Sequence, residues 1–252
     1  MSHIEKENYN IKQYLNEIVQ KPLDIFRELT AWSDEDKEKF SILLENLKKP
    51  FDSSIETTKE KGDRLENLVA FLIQKSYFFE VYRNVCTGTN EIDEVIILSE
   101  KGKQALHEFN ISRDILEISA DVALGECKNY NSTLNVTYVG KFYSLLVSTD
   151  VPFGIIFTQK GLTGCENEFH DAYGLTKVVR IIEKYQNDRE MFILTFTLED
   201  YEKIANGDSF FSLIKAKKIA MQLSSTYESF LQDYQHDNTD SIKRIVKNFK
   251  ST

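Results

Sequence analysis

The sequence predicts an α/β fold: a mixed central sheet flanked by helices, with a helical segment before it and a helical C-terminus. Three observations carry that expectation. Residues 1–60 show only helical spacing of apolar side chains. From Gly62 onward, helical stripes alternate with short β-branched and aromatic runs. One of those runs, Phe153 to Thr158, is almost continuously apolar, as expected of a strand covered on both faces.

Taken in order, Ile11, Tyr14, Leu15, Ile18 and Val19 stand at i, i+3, i+4, i+7 and i+8, which puts five apolar groups on one helical stripe. Pro22 interrupts it, and Leu23, Phe26 and Leu29 resume a shorter helical pattern. Ser33 is suited to N-cap a third helix bearing Phe40, Leu43, Leu44 and Leu47, which Pro50 stops. Phe51 to Gly62 is polar and reads as a linker. Leu65, Leu68, Val69, Leu72 and Ile73 repeat the five-residue stripe and predict a helix over 63–75. Tyr77–Val85 and Ile92–Leu98 read as strands. Lys101–Asn110 suits a short helix, and Ile115–Ile118 a strand extension. Val122–Lys128 is a third strand, and residues 134–148 form a helix marked by Val139, Phe142, Tyr143 and Leu146. A helix over 165–186, a strand from Met191 to Phe196 and helix to the end follow. The boundaries predicted are an N-terminal helical region (1–60), an α/β core (61–200) and a C-terminal helical region (201–252). Three strands, helix, strand, helix, strand implies a sheet that begins antiparallel and continues parallel.

The 252 residues are long enough to bury a substantial core. With 28% charged and 41% apolar residues, the chain is neither broadly disordered nor a membrane bundle, and it has no apolar run of transmembrane length. A polar N-terminus lacks a secretory signal, so the expected location is cytoplasmic with no membrane partner. The three cysteines, 86, 127 and 165, offer no paired metal-ligand spacing. There is no glycine-rich phosphate loop and no Ser-His-Asp spacing. His107 and His170 stand apart from other ligand types.

Chemistry concentrates at Asp93, Glu126 and Lys128. Alternation along a strand sends Glu126 and Lys128 to one face and Cys127 to the other. Asp93 opens the preceding strand on the face of Val95 and Ile97. Charges beside such apolar sequence are costly unless paired or holding a cation. Two neighbouring carboxylates suit Mg²⁺, with Mn²⁺ as an alternative, and the lysine can hold a phosphate or an attacking water. The expected chemistry is phosphodiester hydrolysis. A second Glu-x-Lys, at Glu35-Asp36-Lys37, lies in a polar helical run and reads as a solvated face. Taken singly, Asp93 reads as a turn residue and the Glu126/Lys128 pair as a solvated strand edge. Order and context reverse that balance. Glu66, three after Asp63, also fits a capping box. Tyr130 and Lys141 lie where the edge of such a site would be, although Lys141 stands opposite the apolar stripe of its helix and also reads as solvated; Gln159-Lys160-Gly161, after a strand, reads either as a contact to DNA phosphate or as a plain loop.

Gly62-Asp63-Arg64-Leu65-Glu66, Asn90-Glu91-Ile92-Asp93-Glu94, Gly125-Glu126-Cys127-Lys128-Asn129-Tyr130 and Gly154-Ile155-Ile156-Phe157-Thr158 together resemble the PD-(D/E)xK restriction-endonuclease-like superfamily, most closely its Mrr-type branch. The resemblance spans about residues 62–196. It departs from the motif in having Ile92 where the literal proline would stand, and in an insert of about 23 residues between the second and third strands. It implies that Asp93 and Glu126 are metal ligands, Lys128 the catalytic lysine and Glu66 an auxiliary acidic ligand. It further implies a metal-dependent DNA endonuclease in restriction or phage defence. A catalytically silent DNA-binding or assembly subunit is the alternative.

The net charge of −9 divides into −4 for residues 1–60 and −5 for the remainder. Even the α/β core lacks the positive excess that gives non-specific DNA affinity. DNA is therefore expected to be bound weakly by the chain alone, and delivered by a partner protein or through homodimerisation. The C-terminal helix expected over Asp240–Lys250, with four basic residues against one acid, reads first as a solvated terminal helix and second as a contact for nucleic acid or an acidic partner.

Overall fold

The computed structural model describes residues 21–88, 91–166 and 169–231. The stripe Ile11–Val19 and the basic stretch Asp240–Lys250 lie outside these residues. Helix α1 covers residues 21–30, and α2 (Asp34–Lys48) follows, N-capped by Ser33 as the sequence indicates; Asp36 closes the capping box. Helix α3 (Thr58–Lys75) starts earlier than expected, because Thr57 and Glu60 form its capping box. The linker read over Phe51–Gly62 therefore shortens at Thr58, and Glu66 is not a capping residue.

Strands β1 (Phe79–Cys86) and β2 (Glu91–Leu98) are followed by α4 (Glu100–Glu108) and a 3-10 turn at Arg113–Leu116. The strand expected over Ile115–Ile118 is absent. Ser112 caps the turn, and Glu117 leaves it in the left-handed region at φ 59°. Next come β3 (Val122–Lys128), α5 (Val136–Ser148), β4 (Phe153–Thr158), α6 (Asp171–Gln186) and β5 (Phe192–Phe196). The helix expected from residue 165 begins only at Asp171. Gly164, at φ +89°, and residues 165, 166, 169 and 170 lie outside any helix. Helices α7 (Leu198–Ala205) and α8 (Phe210–Leu223) precede a 3-10 turn at Tyr227–Phe230.

The sheet order is β1-β2-β3-β4-β5. The first three strands pair antiparallel and the last three parallel, giving the mixed sheet expected. The inserted α4 and its turn leave β2 and β3 hydrogen-bonded neighbours. All six residues of β4 are buried, as its unbroken apolar run requires.

Two apolar layers cover the sheet. One joins Ile96, Ala123, Cys127, Ile155 and Leu194 to the α3 stripe, to α8, and to Ile25, Phe26, Leu29, Phe40, Leu44 and Leu47 from α1 and α2. The other joins Leu124, Ile156 and Ile193 to Val139, Phe142 and Leu146 of α5 and Val179 of α6. The stripe Leu65, Leu68, Val69, Leu72 and Ile73 is at most 1% exposed, and burying five such side chains contributes on the order of 10 kcal/mol of transfer free energy. Among the described residues no helix is long and apolar enough to cross a membrane.

Candidate functional site

The site forms where β2 parts from β3 while still paired with β1. The β1–β2 register pairs Arg83 with Glu94 and Val85 with Ile92, stepping over Asn84 and Asp93. Asn84 sits at φ 51°, which bends β1 at that point. On the other side, the β2–β3 pairing runs from Ile97↔Val122 to Glu94↔Gly125. The next cross-strand position places Asp93 against Glu126. Instead of a further backbone ladder bond, the Cys127 N–H donates to Asp93 Oδ2 at 2.9 Å.

Lys128 Nζ lies 2.9 Å from Asp93 Oδ2 and 2.8 Å from Glu126 Oε1. Alternation along β3 has brought Glu126 and Lys128 to one face, and Cys127 is buried on the other, as expected. The three side chains are 17–23% exposed, enough for a ligand to reach them yet shielded from bulk water. Burial pushes the Glu126 carboxyl up, the neighbouring Asp93 charge adds to that, and Lys128 and Lys141 partly offset it. Burial works against the charge on Lys128, but Glu126 and Asp93 outweigh it and raise its pKa. The ammonium is firmly charged at neutral pH.

Glu66 is not brought to this pair. Its Oε2 accepts from Arg83 at 2.7 Å, and Arg83 Nε stands 3.7 Å from Glu94 Oε1. Glu94 alternates with Asp93, so this Glu66–Arg83–Glu94 chain lies on the α3 face of β2. Glu94 is completely buried, and neither carboxylate oxygen has a hydrogen-bond partner. Desolvation pushes its pKa to about 8, although Arg83 pulls it down. A Cβ on Gly125 would come within 2.8 Å of Glu94 Cβ, so glycine makes room for this side chain. Glu94 was missed from sequence. The available signal was an acid at a core-facing position of β2, in phase with Ile96 and Leu98.

The rim is built from the loop after β3. Asn129 Nδ2 donates to the Lys61 carbonyl at 2.6 Å, and Lys61 Nζ donates to Asn131 Oδ1 at 2.7 Å. Between these tethers stands Tyr130, 40% exposed, with its ring centroid 5.6 Å from that of Tyr138 on α5. Lys141 is exposed, yet its charge is felt at Glu126. Gln159 is turned from the rim, its Nε2 bonded to the Leu47 carbonyl at 2.5 Å, while Lys160 is exposed.

No family model, curated protein or solved structure matches the chain. The architecture is a generic helix-flanked mixed α/β sheet. Among the described residues no three Asp, Glu, His or Cys side chains are grouped so as to hold a metal. The convergent acids are the two carboxylates of Asp93 and Glu126, joined by one lysine.

Proposed function

We propose that this protein is a metal-dependent nuclease that hydrolyses phosphodiester bonds, with Asp93, Glu126 and Lys128 as its working residues. One observation carries the reading: two carboxylates from adjacent strands face each other across a single ammonium where β2 parts from β3. Two such carboxylates fit Mg²⁺ or Mn²⁺, hard cations that take one or two carboxylates and leave other positions to water and phosphate. Such an ion, when bound, polarises a phosphoryl oxygen as a Lewis acid.

The chain's own residues supply the rest. Asp93 is oriented by the Cys127 N–H, and Glu126 is held on the same face by strand alternation. Lys128 keeps its proton, so its contribution is positive charge directed at the developing charge on the phosphate. The order of these residues along the chain, and the resemblance to PD-(D/E)xK enzymes, favour DNA as substrate and a restriction or defence setting. Glu66 does not join the ligand set in this reading, since Arg83 engages it on the opposite face.

The acidic charge favours delivery of DNA by a partner protein or a second copy of the chain. The alternative of a catalytically silent DNA-binding or assembly subunit draws on the same lysine, which already neutralises both carboxylates. Plasmid nicking in Mg²⁺ or Mn²⁺ separates them. The wild type is expected to nick, and Glu126→Gln and Lys128→Ala to lose about 100-fold or more. Nicking that survives both substitutions contradicts the site assignment; a wild type that never nicks supports the silent subunit.

A further inference from the structure

We infer that Tyr130 and Tyr138 form a stacking subsite for an unpaired nucleobase beside the Asp93–Glu126–Lys128 site, so that the substrate is single-stranded or locally unpaired where it is engaged. The inference rests on the nuclease reading for its setting, but its geometry is independent of metal. Tyr130 is two residues beyond Lys128, and its charge environment includes both Lys128 and Glu126. Its ring is 40% exposed on a short loop, a position where a large aromatic gains little from folding.

The loop is not slack. Asn129 and Asn131, on either side of Tyr130, are each bonded to Lys61 at the start of α3. The Tyr138 ring backs Tyr130 at 5.6 Å with an interplanar angle of 58°, which holds that ring while leaving it solvent contact. Little ordering is therefore left to be done when a flat ligand arrives.

The cations complete the case. Lys61 is tied into the loop, Lys128 sits in the site, and Lys141 lies one helical turn beyond Tyr138 on α5. In a chain of net charge −9, Lys61 and Lys141 add positive charge near the exposed Tyr130 and the half-buried Tyr138, while Lys128 is shared with Asp93 and Glu126. Aromatic faces with interspersed cations are what a single strand uses: bases stack while the phosphates follow the positive charge. A base inside a duplex has both faces covered by its neighbours and cannot use the tyrosine. A strand passing the subsite would carry its adjoining phosphate toward Lys128.

The test is fluorescence anisotropy with labelled dT20, a 20-residue abasic strand and a 20-base-pair duplex, in Ca²⁺ to limit turnover. The wild type is expected to bind dT20 about tenfold tighter than either other probe. Tyr130→Ala should lose about tenfold on dT20 and nothing on the abasic strand, and Tyr130→Phe should retain the preference. The same comparison with rU20 distinguishes RNA from DNA. Equal affinity for dT20 and the abasic strand, or a Tyr130→Ala variant that binds dT20 like the wild type, overturns the inference. The nuclease reading fails separately. Cleavage without base-dependent binding removes the subsite and leaves the nuclease, whereas base-dependent binding without cleavage does the reverse.

Discussion

Replacing Glu94 with glutamine should make the protein more stable, and increasingly so as pH rises. Glu94 is 0% exposed, its oxygens have no hydrogen-bond partner, and its ordinary pKa of 4.5 is pushed to about 8 by desolvation. Between those two values the folded chain holds a proton that the unfolded chain has released. Its stabilising effect is complete below about pH 4.5 and is lost as pH rises through 8. Integrating that linkage, the wild type loses about 4 kcal/mol between pH 5 and pH 9 from this group alone, each pKa unit being worth about 1.4 kcal/mol. Glutamine has nearly the same shape and does not titrate. The stability difference between Glu94→Gln and wild type, from urea unfolding at pH 5, 7 and 9 with matched m values, should therefore grow by about 4 kcal/mol across the series. A difference that stays constant with pH refutes the idea that this carboxyl is buried and neutral. A constant difference would mean that Arg83 holds Glu94 ionised instead, because a carboxyl that titrates at or below its ordinary 4.5 adds almost no change between pH 5 and pH 9.

Other expectations are simpler to read. Gly125→Ala drives a Cβ to 2.8 Å from Glu94 Cβ and 3.1 Å from the Phe157 ring, and should cost roughly 1–3 kcal/mol in chemical denaturation. Lys217→Met should cost about 3–5 kcal/mol, because Lys217 Nζ lies 3.0 Å from Asp200, which is fully buried and would be left without its counter-charge. Because Glu126 has a raised pKa, nicking and divalent-cation binding should fall on the acid side at a higher pH than an ordinary glutamate would give. Glu126→Asp retains a carboxyl and should keep an acid limb, whereas a limb unchanged in Glu126→Gln would assign it to another group.

Much of the fold could be read from the chain because the patterns were local. The five-residue stripe of α3 and the apolar run of β4 each state their own burial. The convergence of the candidate site residues was legible for a similar reason: Glu126-Cys127-Lys128 carries its geometry in the alternation of one strand, and Asp93 needed only β2 to lie beside β3. What escaped depended on chain geometry or on more distant neighbours. Ile115–Ile118 has β-branched residues, but the Ser112 cap and the left-handed Glu117 close it into a turn. Glu66 looked like a third acid for the pair, yet Arg83 lies on the α3 face of β1 and engages it there. Glu94 stood in the sequence only as the last residue of the Asn90–Glu94 stretch, and alternation turns it into the core opposite Gly125. The start of α3 was different, since Thr57 and Glu60 have the capping-box spacing in plain sight.

The central claim is that Asp93 and Glu126 together hold one divalent cation at the end of β2 and β3. A crystal structure of the full chain soaked in Mn²⁺, with anomalous data, tests it most directly. The account predicts a single strong anomalous peak within bonding distance of both carboxylates, with Lys128 moved from between them and the peak lost in Glu126→Gln. Mn²⁺ bound elsewhere, or a site left empty at saturating Mn²⁺ with Lys128 still bridging Asp93 and Glu126, would contradict it.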